Sequence, residues 1–487
     1  TTSLPLLSNS DKLTVGVTAT CDFARYDDPT IQSGAEKMTV LPEAGAVAML
    51  STARSIFVSS GSAYPPLLFR ELFRRDTDGQ LYPLGTSFAR FKLGRGGAAD
   101  ATKFTLLGDP ALHLAAGRMV ALADSVNGNT LSGKPVQLKA LGQVRIAGTI
   151  RNASGAVVSG FNGAVSAEIF DAARKVGADH EGTGTLDRYY DVQNSIIFKG
   201  VAPVKNGAFQ FSFVVPKDIR YDSTGNGKIH LYAWASQSAL SDPAATATGA
   251  TTNFILNGTD TTAATDTDGP VVDLYLNDKS FRSGNITDQN PLFIAEVSDR
   301  NGINLTQGTG HAMTLILDEN EQTPVTLNDF FEARQGNFSD GDVRYRLQNL
   351  PEGKHTVLFK VWDNQNNLTE RRLDFTVESG QGLAVGNVFN FPNPFNPSSE
   401  HTVFIFPHNR AGDDIEVKIK IYTVAGRLIK TLRDTIFGAP SQIRIEWDGR
   451  DEDGSGLANG IYLYKVVARS LNGNFEAELL QKLAIVR

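Results

Sequence analysis

The sequence predicts a multidomain protein in which a partial α/β region is followed by three all-β segments. Two observations support this prediction. The 487 residues exceed the usual size of one domain, and the sequence pattern changes near residue 117. Before that point apolar runs alternate with helical patterns, whereas after it short alternating strands are separated by Gly, Asn and Asp. We therefore place the domains at residues 1–116, 117–256, 270–378 and 386–487.

The first region opens on a strand that leads to the only cysteine, Cys21. Apolar residues from Leu13 to Ala19 alternate with threonine and glycine, which is the period-2 pattern of a sheet. Further apolar patterns predict helices over 31–41, 65–75 and 85–92 and strands over 46–50 and 104–108. Pro65 or Pro66 is expected in the first turn of the second of these helices.

The later segments read as immunoglobulin-like β-sandwiches. Short strands with turn residues between them are typical of that architecture, and Lys205-Asn206-Gly207 marks a hairpin. Residues 257–269 are small and polar enough to be a linker, and Gly380-Gln-Gly382 divides the last two segments. In the last segment alternating apolar residues from Val417 to Ile421 predict a strand, and Asn459-Gly460 predicts a hairpin turn.

Composition and charge limit the classes of function. The formal net charge is -7 and no long basic run occurs, so a nucleic-acid partner is not expected. One cysteine excludes an intrachain disulfide, and no apolar stretch approaches the length of a membrane helix. No cofactor is expected. The first residues lack the features of a signal peptide and look like the middle of a longer polypeptide.

Cys21 has two interpretations on residue type alone. A thiol at the end of a strand faces the crevice where active sites of open α/β sheets lie. The alternative is a buried structural thiol, since free cysteine is among the most buried residue types. A cysteine counts as a candidate nucleophile only with a histidine partner.

Four short motifs resemble, in order and spacing, the second half of gingipain-type cysteine peptidases. Within that group the resemblance is strongest to the sortases of the type IX secretion system. The motifs are Thr18–Cys21, Ser33–Glu36, Ser51–Arg54 and Phe104–Leu112. The resemblance implies a caspase-like α/β fold with Cys21 as the catalytic nucleophile. The backbone N–H of Cys21 is then a natural donor to the oxyanion.

The catalytic histidine is expected upstream of this chain. In families of this kind the histidine precedes the cysteine, yet none precedes Cys21 here. We read His113, which follows a turn, as a surface or packing residue. A chain complete as it stands would have little or no peptidase activity. The seven histidines are His113, His180, His230, His311, His355, His401 and His408.

The same resemblance implies that the loop from Ser51 to Phe57 borders the primary specificity pocket. Thr52, Arg54 and Phe57 are accordingly predicted to bind substrate, with Phe57 as an aromatic wall. The alternative for Phe57 is a partly buried loop aromatic. Glu36 either orients the catalytic loop or sits where the dipole of a helix favours a carboxylate.

Asp-rich stretches are predicted to be loops and not metal sites. Calcium needs several convergent oxygen ligands, and the EF-hand pattern is missing from each stretch. We therefore expect a linker at Thr265–Gly269, a tight hairpin at Asp448–Gly454 and an ordinary loop at Asp299–Asn304. No metal is predicted.

The last hundred residues carry a second resemblance, to the C-terminal signal domain of type IX cargo. It rests on Val388–Pro397, Ile419–Tyr422, Gly426–Ile429, Trp447–Gly449 and Leu457–Tyr464. The Pro- and Asn-rich lead-in should lie as an extended arm. The resemblance implies docking on an outer-membrane β-barrel of PorV type. Similar sheets occur in flagellar hook-cap proteins, so the fold alone does not assign the role.

Together the two resemblances imply a cell-surface cysteine peptidase and transpeptidase, peripheral to the outer membrane, as the function. It would cut signal domains from exported cargo and pass the cargo to anionic lipopolysaccharide or water. One alternative is a secreted gingipain-like protease. The other is a surface adhesin or scaffold whose peptidase-like segment is vestigial.

Overall fold

The computed structural model describes residues 4, 7, 9, 13–42, 44–179, 184–186, 188–236, 242–308, 310–334, 336, 339–378, 382–473 and 475–487. His180 and part of the predicted divider at 380–382 lie outside these residues. Over the described part the protein is mostly β, with 31 strands and four α-helices. All four α-helices precede residue 103, so the predicted change from an α/β to an all-β pattern is confirmed.

The N-terminal region is a small sheet flanked by helices. Strand β2 is central, parallel to β1 and antiparallel to β3. Six of the seven residues of β2 are buried, as expected for a strand covered on both faces. The elements are β1 (Thr14–Val17), α1 (Gly34–Val40), β2 (Ala46–Thr52), α2 (Val58–Leu72), α3 (Leu84–Leu93), α4 (Ala99–Thr102) and β3 (Phe104–Gly108).

The start of α2 differs from the prediction. The helix begins at Val58, so the expectation that Pro65 or Pro66 would stand in its first turn is wrong, and both prolines lie inside it. Leu68 and Leu72 are buried in the core of this region. Their packing outweighs the poor helix propensity of the serine, glycine and proline residues around them.

The second region is built on one large sheet that closes on itself, with two smaller two-stranded sheets beside it. The order of its large sheet is β14-β13-β8-β11-β12-β7-β4-β5, and β14 also pairs in parallel with β4. In place of two comparable sheets, the closed sheet packs in one core with the small sheet of β6 and β15. The pairing that closes the large sheet joins distant strands and is not visible in a local pattern. The strands are β4 (Met119–Val126), β5 (Asn129–Thr130), β6 (Val136–Ala140), β7 (Gln143–Arg151), β8 (Gly163–Phe170), β9 (Arg174–Ala178), β10 (Arg188–Val192), β11 (Ile196–Lys205), β12 (Ala208–Val214), β13 (Lys228–Trp234), β14 (Thr246–Thr251) and β15 (Phe254–Thr259).

Local predictions in this region fare better. Asn206 and Gly207 both have positive φ, at 51° and 74°, and join β11 to β12. That conformation is the one a tight hairpin turn requires, so the predicted hairpin is confirmed. The predicted linker at 257–269 begins inside β15 and contains the buried Asp266. A short 3₁₀ helix spans Pro243–Ala245.

The third region is a sandwich of two sheets. The strand orders are β16-β18-β22-β21 and β17-β24-β23-β19-β20, and a 3₁₀ helix spans Asn328–Phe330. Buried aromatic residues such as Phe293 and Phe359 fill the space between the sheets. The strands are β16 (Val271–Leu276), β17 (Ile286–Thr287), β18 (Leu292–Ser298), β19 (Thr314–Leu317), β20 (Val325–Thr326), β21 (Phe331–Ala333), β22 (Asp340–Arg346), β23 (Gly353–Trp362) and β24 (Leu368–Val377).

The fourth region is also a sandwich, with sheets β25-β26-β29 and β28-β27-β30-β31. Phe404, Trp447 and Tyr464 pack together in its core. The predicted alternation in β27 is confirmed. The strands are β25 (Phe389–Phe391), β26 (Thr402–Pro407), β27 (Ile415–Thr423), β28 (Leu428–Ile436), β29 (Gln442–Trp447), β30 (Gly460–Ser470) and β31 (Phe475–Ile485).

Two predictions for the fourth region are wrong. Asn459-Gly460 does not close a hairpin, because β29 and β30 belong to different sheets and the chain between them crosses the sandwich. The lead-in is not simply an extended arm, since Phe389–Phe391 pairs antiparallel with β26. Within the described part of the chain, the helices are too short or too polar to span a lipid bilayer.

Candidate active site

Cys21 lies on a loop that leaves the sheet after β1. Its side chain is exposed, and its Sγ lies 3.7 Å from the carbonyl oxygen of Ile56, to which the thiol donates. The loop returns to the sheet where the Ala24 N–H donates to the Thr52 carbonyl oxygen at 3.0 Å. The alternative interpretation of Cys21 as a buried structural thiol is therefore wrong. The thiol is accessible to a substrate.

Helix α1 supports this loop from the side. The Ala35 N–H donates to the Phe23 carbonyl oxygen at 2.9 Å. Ser33 and Glu36 form a capping box in which the Glu36 carboxylate accepts the Ser33 N–H at 2.8 Å. Hydrogen bonds from Ser33 lower the pKa of Glu36. Glu36 thus caps helix α1 and does not itself contact the Cys21 loop in the described structure.

Thr52 lies beneath the Cys21 loop at the end of β2. Its side chain is fully buried, and its hydroxyl donates to the carbonyl oxygen of Thr20. A side chain in this position is shielded from a substrate by the loop above it. Burial of the Thr52 side chain therefore contradicts its predicted role in binding substrate. The sequence places Thr52 in the right loop but cannot show which way its side chain points.

Arg54 lies on the surface next to the same loop and is paired with Asp27. Its Nη1 is 2.5 Å from Asp27 Oδ1 and its Nη2 is 2.6 Å from Asp27 Oδ2, a bidentate geometry. The hydrogen bond from Arg54 lowers the pKa of Asp27. Sequence reasoning missed Asp27, since no local signal connects it with Arg54. The predicted substrate contact of Arg54 stays a prediction.

Phe57 follows the residue that Cys21 contacts, and its side chain is 75% exposed. Its backbone is held because the Phe57 N–H donates to Asp100 Oδ2 at 3.0 Å. Hydrogen bonds, above all from Lys103 and then from the Phe57 N–H, lower the pKa of Asp100 to about 2. The alternative of a partly buried aromatic is wrong. An exposed ring on a fixed backbone can form an apolar wall, and this role stays a prediction.

The described histidines lie away from the thiol. None of the six contacts Cys21 in the described part of the structure, and His113, predicted to be a surface or packing residue, is exposed at the surface. Their partners are Leu81 for His113, Phe170 for His230, Asp218 for His311, Asp318 for His355, Glu446 for His401 and Pro440 for His408.

Three aspartates from separate loops converge in the third region. One carboxylate oxygen each of Asp266, Asp299 and Asp363 lies within 4.8 Å of the others. Burial, and then the charges of the other two, raise the pKa of Asp299 to about 6. Arg300 and Asn301 donate to Asp266 and offset part of the charge. Sequence reasoning considered two of these loops separately and could not bring them together.

The chain matches two family models. Residues 1–115 match peptidase family C25, and residues 410–472 match the FlgD Ig-like domain. Cys21, Thr52, Arg54 and Phe57 all fall within the first match. The N-terminal region is thus similar to peptidase family C25, and a segment near the C-terminus is similar to the FlgD Ig-like domain.

Among solved structures the chain is similar to dimeric latent PorU from Porphyromonas gingivalis. The identity is 29%, the TM-score is 0.36, and the match covers 90% of this chain and 41% of the PorU chain. The chain is also similar to the complex of the RgpB pro- and mature domains from the same organism. There the identity is 14% and the TM-score 0.23, with coverage of 53% of this chain and 49% of that chain. No curated protein matches the chain.

Proposed function

We propose that this chain is part of the sortase of a type IX secretion system. In this role it is a cell-surface cysteine peptidase and transpeptidase that removes C-terminal signal domains from exported cargo and transfers the cargo to anionic lipopolysaccharide. One observation carries the proposal: an exposed thiol, Cys21, stands on a braced loop within the segment that matches peptidase family C25. An accessible thiol held by a rigid sheet is suited to nucleophilic attack.

The proposed reaction begins when the Cys21 thiolate attacks the carbonyl carbon of a cargo peptide bond. A C–S bond forms, the π electrons move to oxygen, and the Cys21 N–H donates to the oxyanion. Collapse restores the C=O bond and breaks the C–N bond, and the leaving amine takes a proton from the protonated general base. An amine of lipopolysaccharide, or water, then gives its proton to the base, attacks the thioester and releases the thiolate.

The general base in this proposal is a histidine supplied by the longer enzyme and not by this chain. The match to PorU covers less than half of that chain, and the described histidines all have other partners. Phe57 provides an apolar wall for a cargo side chain, and Arg54 borders the same surface. Both roles are supported by their position next to the residue that Cys21 contacts.

The C-terminal region is proposed to dock the enzyme on a β-barrel partner of PorV type, which keeps it peripheral to the outer membrane. Support comes from exposed aromatic side chains in this region. Phe389 and Phe391 lie on the same face of β25 and are 49% and 69% exposed, and Phe437 is 76% exposed. A contiguous patch of such side chains is typical of interaction sites.

The test is labelling of the full-length protein with a thiol-reactive peptide probe, together with a cargo-processing assay. Cys21→Ala should abolish both labelling and processing. Ser154→Ala, at an exposed position in the second region, should still be labelled and serves as the control. Equal labelling of the wild type and Cys21→Ala, or persistent processing by Cys21→Ala, would overturn the proposal and favour an adhesin or scaffold. Labelling without cargo processing would point to a secreted protease.

A further inference from the structure

Thr52 holds the Cys21 loop at two points. Its hydroxyl donates to the Thr20 carbonyl oxygen, and its own carbonyl oxygen accepts the Ala24 N–H at 3.0 Å. The parallel pairing of β1 with β2 continues up to the Thr18 N–H, which donates to the Leu50 carbonyl oxygen at 2.9 Å. The chain then leaves the sheet and returns to it at Ala24. Thr52 is fully buried and its hydrogen bond to Thr20 is partly buried, so water replaces this bond poorly when the hydroxyl is lost.

The Thr52 hydroxyl therefore fixes the peptide group that joins Thr20 to Cys21. This peptide is trans, and in a planar trans peptide the C=O and N–H bonds point in opposite directions. Because the Thr20 oxygen points toward buried Thr52, the Cys21 N–H points away from it, toward the outside of the loop. In the described part of the chain, this N–H donates to no protein acceptor.

We propose that Thr52 is a positioning residue, which orients the Cys21 N–H as the donor to the oxyanion. The inference rests on the proposed function, because an oxyanion forms only when the thiolate attacks a carbonyl group. Thr52 itself does not touch the substrate. It acts through the peptide plane, so loss of its hydroxyl should weaken stabilisation of the oxyanion and leave the reactivity of the thiol unchanged.

Two rates measured on the same preparation of full-length protein separate these effects. Alkylation of Cys21 by iodoacetamide creates no oxyanion, whereas acylation by a cargo peptide does. Thr52→Val should lower the ratio of acylation rate to alkylation rate by about tenfold or more, and Thr52→Ser should restore it. Thr18→Val is the matched control. The Thr18 hydroxyl lies 2.5 Å from Ser51 Oγ and does not contact the peptide before Cys21.

Each outcome decides the inference. A lowered ratio in Thr52→Val, restored in Thr52→Ser and unchanged in Thr18→Val, supports it. An unchanged ratio in Thr52→Val overturns it, and so does a parallel fall in both rates, which reflects loss of folded protein. These results leave the proposed function intact. A wild-type protein that is alkylated but never acylated refutes the proposed function, and the inference falls with it.

Discussion

Asp278 and Ser441 join the last two sandwiches through a pair of hydrogen bonds. Asp278 Oδ2 accepts the Ser441 N–H at 2.7 Å and the Ser441 hydroxyl at 2.6 Å. Burial opposes ionisation of Asp278, but hydrogen bonds from Ser280 and Ser441 outweigh it and lower the pKa of the carboxyl. The C-terminal sandwich is therefore attached by specific polar contacts as well as by the chain.

Loss of this contact should weaken the C-terminal region. Ser441 is 1% exposed, so Ser441→Ala removes one donor from a carboxylate oxygen that water cannot easily reach. We expect the free energy of unfolding to fall by about 1–3 kcal/mol, measured by urea denaturation of the full chain. Ser399→Ala, at an exposed position, is the control. Equal losses in the two variants would contradict the role of the contact.

The proposed function also predicts whether the C-terminal region is retained in the mature protein. Under the proposed function the enzyme stays docked at a barrel partner through its C-terminal region, so we expect the mature protein to retain the sequence beyond Val388. Intact-mass measurement of the protein from the cell surface tests this. A mature form ending well before Val388 would contradict it.

His408 should make the C-terminal sandwich sensitive to acid. Burial lowers its pKa from 6.5 to about 4. Its Nε2 lies 2.7 Å from the Pro440 carbonyl oxygen, and its Nδ1 accepts the Arg410 N–H at 3.2 Å. The folded state thus holds a neutral ring with its proton on Nε2. Protonation of Nδ1 would break the second hydrogen bond.

The direction of this pH effect follows from proton uptake by the unfolded chain. Between pH 6.5 and about 4 the unfolded chain binds a proton at position 408 and the folded chain does not. Stability is therefore fully present above pH 6.5 and is lost progressively as the pH falls toward 4. The urea midpoint should change less with pH in His408→Gln than in the wild type. His401→Gln, at a side chain that is 55% exposed, should keep the wild-type slope, and an equally steep His408→Gln would contradict the prediction.

The sequence predicts those features that depend on neighbouring residues. Alternation in β1 and the hairpin at Asn206-Gly207 are each coded within a few positions. The start of α2 is missed because tertiary packing outweighs its local composition. The closure of β14 onto β4 and the pair of Arg54 with Asp27 join distant positions, and no local pattern reveals which distant residues meet.

Asp299 should give the third region the opposite response to pH. With its pKa raised from 3.8 to about 6, the folded state binds a proton in this window and the unfolded state does not. Stability therefore falls as the pH rises through the window and stays low above it. At pH 8, Asp299→Asn should raise the free energy of unfolding by about 1 kcal/mol or more.

This measurement belongs in a buffer with a chelator, so that no divalent cation neutralises the carboxylates. Asp268→Asn, at an exposed neighbour, should change nothing. A destabilised Asp299→Asn would contradict the prediction. Added calcium should not change the urea midpoint. If calcium raised the midpoint of the wild type but not that of Asp299→Asn, the expectation that these loops bind no metal would be contradicted.

The pairing of Arg54 with Asp27 leads to a prediction about specificity. Both terminal nitrogens of the Arg54 guanidinium, Nη1 and Nη2, donate to the Asp27 carboxylate. The positive charge of Arg54 is therefore compensated next to the surface where Cys21 lies. Asp27→Asn should release this charge toward an incoming peptide. We expect KM for peptides with an acidic residue next to the cleaved bond to fall by about two- to fivefold, with kcat unchanged, because an exposed charge pair contributes little.

Asp28→Asn is the matched control, since Asp28 pairs with Arg25 at 3.2 Å instead. If the variants at positions 27 and 28 show the same KM for acidic and neutral peptides, Arg54 does not contact the substrate, and its role is to tie the two loops together.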